Sequence, residues 1–243
     1  MTKANNDGQV LTSLDIGNKG TVSFQLYQQQ SESRKKAELA VKKIFRAAYG
    51  ADITSYLPYL LTVEIKQRIT AVVGVRSAAE QALFLEQYLS TDIETAIKQI
   101  NGLVIPRKNI VEIGNLVSCK IGISRQLFIV LAFALAKAEI EWVSFTATAQ
   151  VEQLLAKLSL FPVVIAQANE QAIANGDDSW GSYYVDCPNV CVGNVFNAVH
   201  ELKKSMIIRE MVTQLEPTIS LLAQQIIKPL AKSRDDKSSE GRS

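Results

Sequence analysis

Apolar and polar positions follow two registers along this chain, and the switches between them mark its elements. Thr21-Val-Ser-Phe-Gln-Leu-Tyr27 alternates with period two and predicts a strand. From Ser31 to Tyr49, Ala37, Ala40, Val41, Ile44 and Phe45 recur at helical spacing, with Ser31 or Ser33 to cap the start and Gly50 to end it. Two extended runs follow, Tyr59–Ile65 and Ile69–Val75, separated by Lys66, Gln67 and Arg68, and they predict a hairpin. Gly74 inside the second run points to a bulge or to close approach of another backbone. Ala78–Tyr88 and Ile93–Ile100 read as short helices. Asn109–Val117 reads as a strand interrupted at Gly114 and Asn115, and Ser124–Ala138 as a strongly apolar helix. Trp142–Ala147 predicts a strand, and Ala149–Leu158 an amphipathic helix with Val151, Leu154, Leu155 and Leu158 on one face. Pro162–Ala166 and Val190–Val195 predict further strands, with a turn-rich aromatic stretch from Asn175 to Pro188 before the second. Ala198–Leu230 reads as mostly helical, broken near Pro217.

This order predicts an α/β (α+β) chain built on one central sheet, with Asn109–Phe145 forming a right-handed parallel strand–helix–strand crossover. Such a unit binds ligands at the carboxyl ends of its strands. Residues 1–20 are polar and glycine-containing and are expected to be loose. The sheet-forming unit then spans 21–197, followed by a helical extension over 198–230 and a polar tail over 231–243 that is expected to be disordered.

Composition narrows the chemistry. The 243 residues include one histidine, His200, and three cysteines, Cys119, Cys187 and Cys191. Zinc enzymes need His or Cys pairs at ligand spacing, so no metal is expected. A Ser-His-Asp hydrolase would need His200 as its base. A formal net charge of +2 gives no basis for broad nucleic-acid binding. The longest apolar run, Leu127–Ala136, is too short for a membrane span, which takes about 20 residues. The polar start lacks a secretory pattern, so a cytoplasmic location with reduced thiols is expected, with at most weak membrane contact. Chemistry falls to carboxylates, tyrosines, backbone groups or a bound thioester, with no tightly held cofactor.

Three features meet around one strand end. Glu112 lies on the strand Asn109–Val117, Gly114-Asn115 interrupt that strand, and the loop Ser118-Cys-Lys-Ile-Gly-Ile-Ser-Arg125 leads into the apolar helix. A strand opened at a bulge leaves backbone N–H and C=O groups free to hold a thioester arm. A loop entering a helix turns backbone N–H groups toward an anion, and Lys120 and Arg125 add positive charge.

Glu112-Ile-Gly-Asn115, the strand end Phe145-Thr-Ala-Thr148, Trp180-Gly-Ser-Tyr-Tyr184 and Tyr49-Gly-Ala51 together resemble the thermostable hemolysin family, over about residues 20–200. The family's fold is similar to the GNAT acyltransferases and, within them, to acyl-homoserine-lactone synthases. That resemblance implies a mixed, mostly antiparallel sheet split at a V-shaped opening, helices on both faces and an extra C-terminal helix. In those synthases a Glu-x-Ser-Arg motif supplies the base; here Gly114 and Asn115 replace its Ser and Arg, which puts the lactone-synthase substrate in doubt. Of the GNAT phosphate loop, Gln/Arg-x-x-Gly-x-Gly/Ala, Cys119–Ser124 keeps the middle glycine, Gly122, which points to a carrier-protein or unusual thioester donor more than to ordinary coenzyme A.

The reaction implied is direct transfer of an acyl group from an acyl carrier protein or coenzyme A thioester to a small amine. Glu112 would take the amine's proton, and Tyr183 or Tyr184 would protonate the leaving thiolate. Val117, Cys119, Lys120, Gly122, Ser124 and Arg125 form the candidate thioester-binding set. Arg76, Gly114, Asn115, Ser144, Thr146, Thr148, Trp180 and Tyr184 form the candidate acceptor-binding set. The acceptor stays open among an amino acid, a diamine, an S-adenosylmethionine-like molecule and a lipid head group. Two other functions compete: a membrane-active lytic protein acting through Ala198–Leu230, and an acyl-binding module without catalysis.

Overall fold

The computed structural model describes residues 9–15, 21–119, 121–173 and 179–225. Eight strands form one sheet in the order β1-β2-β3-β4-β5-β6-β8-β7: β1 Gln9–Asp15, β2 Thr21–Tyr27, β3 Tyr59–Ile65, β4 Arg68–Ser77, β5 Ile110–Ser118, β6 Trp142–Ala147, β7 Val163–Gln167 and β8 Asn189–Asn194. β5 and β6 run parallel and every other neighbouring pair is antiparallel, so the sheet is mixed and mostly antiparallel, as expected. The helices are α1 Lys35–Tyr49, α2 Ile93–Asn101, α3 Ile121–Lys137, α4 Ala149–Ala156, α5 Val195–Leu202 and α6 Met206–Gln214.

Alternation along the strands sorts side chains to two faces. Val73, Val75, Val111, Ile113 and Phe145 point to the face where α3 is buried through Leu127, Ile129, Leu131 and Leu135, joined by α5 and α6. The apolar run that is too short for a bilayer is therefore the core helix of one face. No described helix is long and apolar enough to cross a membrane. The opposite face carries two separate clusters. One packs α1, through Ala37, Val41 and Phe45, on Leu60, Val72 and Val117. The other packs α2, through Ile93 and Ile97, with Leu83 and Leu85 on Ile110, Trp142 and Val192.

Several elements differ from the sequence reading. Gln9–Asp15, expected to be loose, is a strand that pairs with β2. Ala78–Tyr88, expected to be a helix, is a turn followed by a short 3-10 helix, Phe84–Tyr88. Its start is set by Glu86, whose carboxylate accepts the Leu83 N–H at 2.7 Å and also holds the Ile93 N–H and Arg107. The C-terminal helical stretch breaks at Leu215, near Pro217 as expected, and also at 203–205; Pro217 itself lies in the first turn of a helical stretch over 216–225, where a missing N–H costs nothing. The tail over 231–243 lies outside the described residues.

The β3–β4 hairpin closes through two residues, Lys66 and Gln67, with φ of 49° and 60°. Positive φ at both positions defines a type I′ turn, which asparagine and glycine adopt more easily than lysine and glutamine. Lys66→Asn combined with Gln67→Gly is expected to stabilise the fold by about 1 kcal/mol, read as a raised urea midpoint at unchanged slope.

Candidate active site

The parallel ladder between β5 and β6 is short. It pairs Ile110 with Trp142, Val111 with Val143, Glu112 with Ser144 and Ile113 with Phe145, and then stops. Beyond it β5 stays on β4 as far as Ser118, and β6 stays on β8 as far as Ala147. Gly114–Ser118 and Thr146–Ala147 therefore face each other across an opening, with their inner edges outside the ladder.

Local sequence forces this parting. Between Val72 and Gly74 on β4, the partner strand β5 spends an extra residue, so Asn115 and Leu116 bulge. Asn115 has φ of 46°, a left-handed conformation that asparagine tolerates better than most residues. Its side-chain Oδ1 accepts the Leu57 N–H at 2.8 Å. Arg34, itself buried, donates to the Leu57 carbonyl at 2.7 Å and to the Pro58 carbonyl at 2.5 Å. Leu57 is thereby pinned over the bulge. A Cβ at Gly74 would lie 3.0 Å from Leu57 Cβ and 2.9 Å from Asn115 Oδ1, and one at Gly114 would lie 3.0 Å from Leu57 Cδ1. At Gly74 glycine is favoured because the Leu57 Cβ and the Gly114 carbonyl stand close, whereas at Gly114 the near atom is the end of the Leu57 side chain.

A cavity of about 520 Å³ occupies the opening and reaches both faces of the sheet. On one side its walls are Arg76, Glu112, Tyr88 and Trp180, between the α1 and α2 clusters; on the other they are Ser124, Phe128, Val151, Leu154 and Lys157, from α3 and α4. Of the sequence-proposed residues, Glu112, Tyr183, Val117, Ser124, Gly114, Asn115, Arg76, Thr146, Thr148, Trp180 and Tyr184 line this one cavity. Four others are placed elsewhere. Ser144 is fully buried, its hydroxyl donating to the Val111 carbonyl at 3.3 Å, so it belongs to the sheet interior. Cys119, Gly122 and Arg125 are exposed and outside the cavity wall, whereas Ser124, between the last two on α3, lines it. Lys120 lies outside the described residues.

Glu112 is 4% exposed. Its Oε2 accepts the Phe84 N–H and its Oε1 accepts the Leu85 N–H, each at 2.9 Å. These are orphan donors of the first turn of the 3-10 helix, which a carboxylate satisfies well. Arg76 Nη1 stands 3.7 Å from Oε2. Burial pushes the Glu112 carboxyl above the ordinary carboxylate range, against the downward pull of the two N–H donors and Arg76. Each oxygen keeps one lone pair, so Glu112 can still accept a proton.

Aromatic rings wall the Glu112 side. Trp180 meets Phe45, Phe84, Tyr183 and Tyr184 with ring centroids 5.5 to 6.4 Å apart. The hydroxyls of Tyr88 and Tyr184 are 2.5 Å apart. Burial raises the Tyr88 phenol to about 12, with the Glu112 charge adding to the rise, and burial also raises Tyr183 and Tyr184. All three therefore remain hydrogen-bond donors at neutral pH. Phe45, Phe84 and Tyr88 escape a sequence reading centred on the β5 end. The spacing of four in Phe45/Tyr49 and Phe84/Tyr88 is the signal that could have found them.

Trp180 and its neighbours are held by the Tyr49-Gly-Ala51 segment. Asp52 and Ser179 form an antiparallel bridge, and the Ser182 N–H donates to the Tyr49 carbonyl at 2.8 Å. Gly181 has φ of 55°, and a Cβ there would fall 2.0 Å from the Tyr49 oxygen. Two motifs far apart in sequence are thus one structural joint.

Among solved structures, the fold is similar to the following three. TofI, in a ternary complex with an inhibitor and MTA, matches with a TM-score of 0.52 at 10% identity, over 76% of this chain and 98% of its own. FeeM, an N-acyl amino acid synthase from uncultured soil microbes, matches with a TM-score of 0.51 at 11% identity, over 72% and 92%. The AHL synthase LasI matches with a TM-score of 0.50 at 10% identity, over 72% and 90%. The split sheet thus has a fold similar to that of the AHL synthase LasI and of FeeM. By sequence, no curated protein matches the chain. The sequence model of the thermostable hemolysin family matches residues 27–199, and the chain belongs to that family.

Gly181→Ala is expected to unfold the joint between 49–52 and 179–184 and to cost about 3 kcal/mol or more. Near-ultraviolet circular dichroism, which reports the packed rings, should lose intensity at a temperature where the wild type is still folded.

Proposed function

We propose that the chain is an N-acyltransferase that moves a fatty acyl group from a coenzyme A or acyl-carrier-protein thioester to a small amine by direct transfer. The observation that carries this reading is the cavity at the parting of β5 and β6, with a buried carboxylate on its wall. A pantetheine arm is a chain of amides, and the unladdered edge at Gly114–Ser118 offers it strand-like pairing. Phe128, Val151 and Leu154 give the acyl chain an apolar bed on the α3 and α4 side. The similarity to an acyl-homoserine-lactone synthase and an N-acyl amino acid synthase supports the same chemistry.

In the reaction, the amine nitrogen attacks the thioester carbonyl. The C–N bond forms, the C–S bond breaks, and the proton lost by nitrogen passes to the thiolate. Glu112 takes that proton first, its raised affinity suiting a base that works near neutrality. Backbone N–H groups of the bulge stabilise the oxyanion, at about 3 kcal/mol per donor. Tyr183 and Tyr184 donate hydrogen bonds to the departing sulfur; their raised affinity for the proton makes them donors that do not ionise. An amphiphilic product of such a transfer disturbs a membrane without a pore, which reconciles acyl transfer with the family's name. Leakage of liposomes caused by the purified chain alone would favour direct lysis instead.

Thiol release from dodecanoyl-coenzyme A or the carrier-protein thioester should match amide formation one for one. The kcat/KM is expected to rise with pH through a value above 4.5, the ordinary carboxyl value, as Glu112 deprotonates. In Glu112→Gln that limb should vanish and the rate fall by about 10²–10⁴-fold. Glutamine presents an amide N–H to one of the two backbone donors, so a stability loss of about 1–3 kcal/mol is expected alongside. Stability carries the matching sign. The folded carboxyl binds its proton more tightly than the unfolded one, so this contribution is full at low pH and lost as pH rises through the raised value. A pH–rate limb unchanged in Glu112→Gln would remove Glu112 as the base.

A further inference from the structure

The reaction above leaves the rest of the acceptor unspecified, and one charged group in the cavity constrains it. Arg76 lines the cavity with its side chain 17% exposed. Its hydrogen bond from Nη1 to the Ala82 carbonyl is long, at 3.4 Å. Its Nε is buried and has no partner among the described residues. Glu112, 3.7 Å away, already accepts two backbone N–H groups. Glu112 is also the one carboxylate among the described residues lining the cavity, whereas Arg76 and Lys157 both bring positive charge. A guanidinium whose buried Nε lacks a hydrogen bond carries a cost, and its planar fork fits a carboxylate bidentately.

We propose that Arg76 receives a carboxylate of the acceptor, which makes the acceptor an amino acid with its amino group toward Glu112. The two groups of an amino acid that need opposite partners are one carbon apart, and Arg76 and Glu112 are cross-strand neighbours on the same face of the sheet. The acceptor's side chain then meets the rings that begin at Phe84, whose own N–H binds Glu112, so an apolar or aromatic side chain fits best. A diamine or a cationic lipid head group would set a second positive charge against Arg76. This inference rests on the acyl-transfer reading and deepens it.

The test compares amino acids with the same molecules lacking the carboxylate: L-leucine against isoamylamine and L-phenylalanine against phenethylamine. The full chain is supplied with dodecanoyl-coenzyme A or dodecanoyl-acyl carrier protein, and amides are measured by mass spectrometry. The amino acid is expected to exceed its partner by roughly 10- to 100-fold in kcat/KM. Arg76→Gln should bring that ratio close to one, and Arg76→Lys, which keeps the charge without the fork, should lower it partway. Should Arg76→Gln fail to fold, the Arg76→Lys ratio decides. Equal rates in the wild type, or a ratio unmoved by either variant, would overturn the carboxylate assignment and leave acyl transfer standing. Titration calorimetry without a donor separates the converse case. Amino acids that bind more tightly than their amines, with no amide formed from either donor, would overturn acyl transfer and keep the Arg76 site.

Discussion

The structure depends on one constraint: β5 must leave β6 after four paired residues while staying on β4. The bulge at Asn115 and Leu116 shifts the register of β5, and the Asn115 side chain ties the bulge to the Leu57 N–H. Arg34 fixes the far side of the same segment through the Leu57 and Pro58 carbonyls. A side chain at Gly74 would press on the Leu57 Cβ and on the Asn115 amide that ties the bulge. Polar bonds of this buried kind gain little net energy when made and cost much when broken, so they specify the opening more than they stabilise the fold.

Around the opening, the two faces divide the work. Apolar residues of α3 and α4 line one end, and a carboxylate, a guanidinium and packed aromatic rings line the other. The carboxylate also holds the first turn of the 3-10 helix, which carries Phe84 and Tyr88 into the ring wall. Glu112 therefore couples the sheet to the aromatic wall as well as offering a base. Replacing it perturbs both, and a rate measurement needs a stability measurement beside it.

Much of this was legible in the sequence. Period-two alternation marked β2, extended runs marked β3, β4 and β6, and helical spacing marked α1 and α4, while β3, β4 and α3, buried nearly all round, showed as continuous apolar runs. The interruption at Gly114-Asn115 announced the bulge. What was not legible came from contacts distant in sequence. The 3-10 helix at Phe84–Tyr88 looked helical because its aromatic spacing is helical, but carboxylates from Glu86 and Glu112 hold its first turn. Ser144 looked available because it precedes Thr146 on the same strand; its place opposite Glu112, inside the ladder, buries it instead. Gly122 and Arg125 looked like loop residues by their pattern, yet α3 starts earlier and carries both as exposed residues of its N-terminal end. The joint between Tyr49-Gly-Ala51 and Trp180-Gly-Ser-Tyr-Tyr184 showed as two motifs, and their mutual dependence follows from one glycine pressed against a carbonyl.

The central claim is that an acyl thioester lies in the parting of β5 and β6. Hydrogen exchange of the full chain, with and without a non-hydrolysable dodecanoyl-pantetheine thioether, tests it most directly. The account predicts slowed exchange concentrated at Gly114–Ser118 and Thr146–Thr148, the edges that carry no ladder partner across the opening. Protection confined to other strands, or none at all when binding is saturated, would contradict it.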